Sequence, residues 1–101
     1  MNHLQVSVYL SEADKWLHRP LHQELIAMLH KHQLMCGIAL RAVAGFTPEG
    51  MVETSLFHAG KKSPIVVQFI DTAEKIAAVL PELKNMAPHS LILSVPVEII
   101  S

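Results

Sequence analysis

The chain has 101 residues, half of them hydrophobic and 17% charged, the composition of one packed domain rather than a disordered chain. Eight basic residues against nine acidic ones leave a formal charge of −1, without the positive excess that tracking a phosphate backbone needs, so no nucleic acid is expected as a partner. No apolar run approaches a membrane span, the amino terminus lacks the pattern of a secretion signal, and Cys36 is the one cysteine, so the expectation is a cytoplasmic protein with no membrane insertion and no internal disulfide.

The first element is the alternation His3–Leu10. Leu4, Val6, Val8 and Leu10 point to one face, and His3, Gln5, Ser7 and Tyr9 to the other, as in a strand with one core side. Ser11–Arg19 reads as a connector whose Trp16 and Leu17 fold back over the core edge. Pro20 suits the first turn of a helix, where its missing N–H costs nothing. Leu21, Leu25, Met28 or Leu29, and His32 then form a stripe at helical spacing, taking this helix to about His32. Gly37 is the expected breaker.

Ile38–Phe46 reads as a second strand, with Ile38, Leu40, Ala42 and Ala44 on the core face and Ala39, Arg41 and Val43 on the other. Thr47-Pro48-Glu49-Gly50 and Ala59–Ser63 carry turn chemistry. Between them Met51–His58 is strand-like; it either joins the sheet or forms an excursion outside it. Ile65–Ile70 is nearly continuous apolar, as in a central strand covered on both sides. Asp71 with Glu74 three residues on looks like a helix cap. Ile76, Val79 or Leu80, Leu83 and Met86 make the stripe of a helix over Thr72–Met86, ended by Pro88. Leu91–Ile100 is the last strand, and Pro96 removes a ladder donor, which places it at a sheet edge.

Two strand–helix–strand patterns in one chain specify an α+β, ferredoxin-like β-α-β-β-α-β sandwich over residues 1–101. Its antiparallel sheet carries two helices on one face, with an extra strand or hairpin at 47–63. The face away from the helices is then expected to show Gln5, Ser7, Tyr9, Arg41, Gln68, Ser94 and Glu98, interspersed with Val43, Val66, Ile70, Ile92 and Ile100. Leaving those aliphatics in water forgoes several kcal/mol at roughly 25 cal/mol per Å², so this face favours packing against other subunits. RNA-binding sheets stack bases on central aromatics; here Tyr9 is the only candidate and the charge is wrong.

His18 and His22, four apart, have a spacing that can serve zinc. Pro20 between them puts His18 ahead of the helix, and no clustered Cys/His motif exists, so solvated surface histidines are favoured. A nucleophile needs a positioned base, and nothing local supplies one to Cys36. Glu49 and Glu53 are loop carboxylates. No glycine loop of the Walker or dinucleotide-binding type is present, and no enzyme is expected. Lys61-Lys62, beside Gly60 and Ser63, suits either an anion or a charged, soluble hairpin tip. Arg41, in an otherwise apolar strand, needs a carboxylate, a phosphate or solvent. Glu98, a neighbouring subunit's acid, or a ligand phosphate are its candidate partners.

Arg19-Pro20-Leu21, then Gly37–Phe46, then Pro64–Thr72 together resemble a bacterial and archaeal family called domain of unknown function 190, placed in the PII-like (GlnB-like) superfamily. Ala42 and Thr47 stand where that family commonly has glycine. The resemblance implies a ferredoxin-like protomer assembling as a homotrimer with its sheets facing inward. In PII proteins nucleotides bind between subunits, and a long loop after the second strand contacts a transporter or enzyme target; the matching segment here is Thr47–Ser63. The loop that helps hold nucleotide phosphates corresponds to Lys84–Ser90, which lacks its glycines and most of its basic residues. The resulting expectation is a regulatory or sensor protein binding a small anionic ligand, a nucleotide being one candidate, between subunits near Arg41, Gly45, Phe46, Lys61 and Lys62. The alternatives are a histidine-based metal-binding trimer resembling the copper-tolerance proteins, using His18 and His22, and a dimeric α+β-barrel enzyme.

Overall fold

The computed structural model describes residues 2–48, 50–52 and 63–101. In chain order the elements are β1 (His3–Ser11), β2 (Lys15–Trp16), β3 (Arg19–Pro20), α1 (Leu21–Lys31), β4 (Cys36–Arg41), β5 (Gly45–Thr47), β6 (Gly50–Val52), β7 (Pro64–Thr72), α2 (Ala73–Met86) and β8 (Leu91–Val97). Four of them form one antiparallel sheet in the order β4-β7-β1-β8. Alternation of strand and crossover helix in that order is the ferredoxin-like sandwich, and β4 and β8 are its edges, as Pro96 implied. None of the helices formed by the described residues is long and apolar enough to cross a membrane.

The core lies between the sheet and the two helices. Val6, Val8 and Leu10 of β1 and Ile65, Val67 and Phe69 of β7 are buried against Leu21, Leu25, Met28 and Leu29 of α1 and Ile76, Val79, Leu83 and Met86 of α2. Both helical stripes are therefore those read from the sequence, except that His32 is exposed and its Nε2–H donates to Glu82 Oε1 on α2 at 3.0 Å. Trp16 packs against the core edge, whereas Leu17 is exposed.

Local chemistry corrects several expected boundaries. Pro20 is the residue before α1, not in its first turn, and it pairs with Lys15 in a β2–β3 hairpin. The two tip residues, Leu17 and His18, both have positive φ, which a two-residue loop with the twist of the strands demands. Gly37 does not break α1. The helix ends at Lys31, and the chain turns away at Gln33, four residues before Gly37, with φ 60. There the Leu34 N–H donates to Leu29 O at 3.2 Å and the Gln33 N–H to His30 O at 2.9 Å, the paired bonds of a Schellman closure. At α2 the cap is Thr72, whose hydroxyl accepts from the Lys75 N–H at 3.3 Å, rather than Asp71. Pro81 lies inside α2.

Candidate functional site

Register decides which side chains occupy the sheet face away from the helices. Val6, Val8 and Leu10 face the helices, so their partners do too: Phe69, Val67 and Ile65 on β7, and Ser94 and Ile92 on β8. Across β7, Gly37 pairs with Phe69, Ala39 with Val67 and Arg41 with Ile65. The helix side of β4 is therefore Gly37, Ala39 and Arg41, and its open side is Cys36, Ile38 and Leu40. This reverses the expected parity of both edge strands. Ser94, Ile92 and Arg41 leave the open face, and Ile38, Leu40, Leu91, Leu93 and Val95 take it over. A Cβ on Gly37 would stand 3.9 Å from Ile26 Cδ1, Leu29 Cδ1 and Phe69 Cβ. Small residues sit where α1 lies close on β4, and the bulky aliphatics turn outward.

The corrected face is more apolar than the one read from the sequence. Ile38 is 45% exposed, Leu40 50%, Leu91 41%, Leu93 41% and Val95 49%. Half-buried Val66 and Ile70 lie between them on β7. In the middle, Gln68 Nε2 donates to Ser7 Oγ at 3.3 Å. Aliphatics on both edge strands thus flank a polar centre of Gln5, Ser7, Tyr9 and Gln68, and so much exposed apolar area on one face is characteristic of interaction surfaces.

Arg41 ends β4 at the edge of that surface. Its guanidinium is ion-paired with the Glu12 carboxylate, which follows β1 on the same side of the sheet. Glu98, the candidate partner read from the sequence, lies at the opposite end, beside Asn2, His3 and Pro96 in a cleft of about 560 Å³. Two backbone bonds close the neck of the segment between β4 and β7: the Ala42 N–H donates to Pro64 O at 2.8 Å, and the Glu12 N–H to Ser63 O at 2.8 Å. Gly45 follows with φ 156, where a Cβ would come 3.6 Å from Pro64 Cγ. Its positive φ favours glycine. Phe46 is 80% exposed and belongs to the β5–β6 hairpin, which pairs outside the main sheet.

Arg41, Gly45 and Phe46 thus share one end of the fold, around the neck. Lys61 and Lys62 lie outside the described residues, as do Glu49, Glu53 and most of the 47–63 segment; Gly50–Val52 of that segment pairs with β5. Glu12 is the residue of this neighbourhood that the sequence reading missed. Its signal was slight: an acid placed just past a strand whose even residues all face the core.

His18 occupies the exposed tip of the β2–β3 hairpin, and His22 the first turn of α1 with a buried Nδ1 that has no hydrogen-bond partner among the described residues. Among the described residues, no three His, Cys, Asp or Glu side chains are grouped to hold a metal ion. Asp14, Trp16, Asn85, Pro88 and His89 line a second cleft, of about 320 Å³, between the hairpin and the end of α2 with the turn that follows it. Asp71 is 4% exposed. Its Oδ2 accepts the Met35 N–H at 2.7 Å and its Oδ1 the Thr72 N–H at 2.6 Å, with Lys75 Nζ 3.6 Å away. It ties the chain ahead of β4 to the start of α2. Burial raises its pKa, but those N–H groups and the ammonium outweigh it and hold the carboxyl below 3.8.

The family model DUF190, described as uncharacterized ACR, matches residues 3–99. UPF0166 protein MJ1524 from Methanocaldococcus jannaschii is 23% identical over 85 residues, 84% of this chain and 79% of that protein. Among solved structures, CPII from Thiomonas intermedia K12, a nitrogen regulatory PII-like protein bound to ADP, AMP and bicarbonate, superposes with a TM-score of 0.74. The superposition covers 98% of this chain and 89% of that one at 13% identity, a likeness of fold.

Proposed function

The chain belongs to the DUF190 family and has the PII-like fold, and on that premise we propose that it is a trimeric regulatory protein binding a small anionic ligand between subunits and signalling through its 47–63 segment. The observation that carries the reading is the aliphatic open face. Fully burying a Leu, Ile or Val contributes about 1.5–3 kcal/mol, and five such residues are 41–50% exposed here. Covering them gains several kcal/mol per protomer, comparable to the lower end of a domain's whole stability, about 5 kcal/mol. Sister copies of the same sheet are the occupant that the PII-like fold suggests.

The ligand part of the reading rests on the neck. Arg41 supplies a permanent cation with a planar donor fork suited to a phosphate or carboxylate. Gly45 lets the backbone pass close beside Pro64, Phe46 offers an exposed ring, and Lys61 and Lys62 are taken to add charge. A ligand seated there would bias the 47–63 segment towards one arrangement, provided it binds the two arrangements differently, and so change its affinity for a transporter or enzyme target.

A thermal-shift panel of AMP, ADP, ATP, bicarbonate and inorganic phosphate tests this. A ligand at about 100 times its Kd stabilises by about 2.7 kcal/mol, a rise of roughly 10 °C or more for a domain of this size. Failure of every compound to raise the melting temperature at millimolar concentration refutes the ligand part.

A further inference from the structure

The Arg41 guanidinium already has an anion beside it, and that anion is unusually placed. Glu12 has 19% of its side chain exposed against 58% for Arg41. One carboxylate oxygen, Oε2, meets the guanidinium, while the other, Oε1, is buried and has no hydrogen-bond partner among the described residues. A buried carboxylate oxygen without a donor is unfavourable, so this ion pair is poorly completed from the side of the acid. The cation, by contrast, keeps most of its surface open to an incoming group. Glu12 also donates its backbone N–H to Ser63 O at 2.8 Å, where the chain returns to the sheet. The residue occupying the arginine is thus bonded to the neck of the segment proposed to signal.

We infer that Glu12 is an internal competitor for the anion site: its carboxylate holds the Arg41 guanidinium until a phosphate- or carboxylate-bearing ligand displaces it. This rests on the reading that Arg41 receives the ligand's anion. The exchange is one of charge partners and breaks no covalent bond. A phosphate offers the guanidinium two parallel N–H···O bonds, and the displaced carboxylate swings toward water, where its unpartnered oxygen is solvated. Release of the Glu12 side chain loosens the residue whose main chain is tied to Ser63, so arrival of the ligand is felt at the neck. The device also sets specificity. A ligand must carry an anionic group that outcompetes a carboxylate already in place, so neutral analogues have nothing to exchange.

The test is isothermal titration of AMP, adenosine and inorganic phosphate into the full chain and into Glu12→Gln, Glu12→Asp and Arg41→Gln. Glu12→Gln is expected to tighten AMP and phosphate about 1.5- to 5-fold, the range of a partly exposed ion pair, while leaving adenosine unchanged. Glu12→Asp keeps the charge but withdraws it by one methylene, and is expected to tighten AMP by a smaller factor. Arg41→Gln is expected to weaken AMP. Equal AMP affinity for the natural chain and both Glu12 variants, with Arg41→Gln still weakening it, overturns the competitor role and leaves the anion site standing. AMP affinity indifferent to Arg41→Gln, or no anion binding by any variant at millimolar concentration, overturns both. Equal tightening of adenosine and AMP by Glu12→Gln overturns the role too, because a general loosening of the neck would not distinguish the charged ligand.

Discussion

Replacing Asp71 with asparagine perturbs the tie that fixes where β4 begins. Asp71 is 4% exposed, and its carboxylate accepts N–H groups from Met35 and Thr72 at 2.7 and 2.6 Å. Asparagine retains one acceptor oxygen and presents an NH₂ donor to the other N–H. One charge-assisted bond, about 1.5–3 kcal/mol, is lost, and one N–H is left facing a donor. The expected cost is about 2–4 kcal/mol near neutral pH, a large share of a small domain's stability. Urea unfolding at fixed protomer concentration measures it, with an unchanged m-value showing that the unfolded state is unaffected. The pH dependence has a definite sign. Because the folded carboxyl titrates below 3.8, Asp71 contributes fully above its unfolded pKa and loses that contribution as the pH falls through its folded value. The gap between natural chain and Asp71→Asn is therefore widest near neutrality and closes in acid. A gap below about 0.5 kcal/mol, within the range of ordinary surface changes, or one that widens as the pH falls, refutes the reasoning.

The other predictions concern the sheet and its turns. Ile38→Lys with Leu93→Lys places two charges on the open face and is expected to yield a folded single chain, because a buried unpaired charge costs about 3–5 kcal/mol; light scattering with circular dichroism separates dissociation from unfolding. Gly37→Ala is expected to be stabilising by about 0.4–1 kcal/mol, since the added carbon meets its neighbours at 3.9 Å; a loss in urea unfolding would show that α1 leaves no room there. Gln33→Gly is expected to gain about 0.5–1 kcal/mol by relieving a side chain held at φ 60, and a loss would show that the Gln33 side chain contributes more than the backbone costs.

Periodicity located the two central strands and both helices because each has one face that must be apolar and one that must not. β1 alternates strictly, and β7 inherits its register from β1, so their faces were readable. The edge strands defeated the same rule. In Leu91–Val97 and Cys36–Arg41 most of the larger aliphatics sit on the side away from the helices, and Gly37, Ala39, Ser94 and Ile92 on the side beneath them. Assigning the apolar row to the helix side therefore inverted both strands. That failure is informative, since a sheet whose outer face is the greasier one at its edges has a second surface to cover. Arg41 moved with the inversion, which is why Glu98 stood in for Glu12. The hairpin at Lys15–Pro20 carries no glycine or asparagine at its tip, and Gln33 does the work expected of Gly37; turn chemistry was silent at both places. Arg41, Gly45 and Phe46 drew attention by resemblance and by arginine's need for a partner, whereas their shared position around the neck required the register of three strands.

Sedimentation equilibrium of the natural chain at micromolar concentration reaches the central claim most directly. Burial of Ile38, Leu40, Leu91, Leu93 and Val95 between three copies predicts a single species of about 34 kDa, three times the 11.2 kDa chain. A stable 11 kDa species would contradict it, leaving the aliphatic face in water and the site around Arg41 without neighbouring subunits.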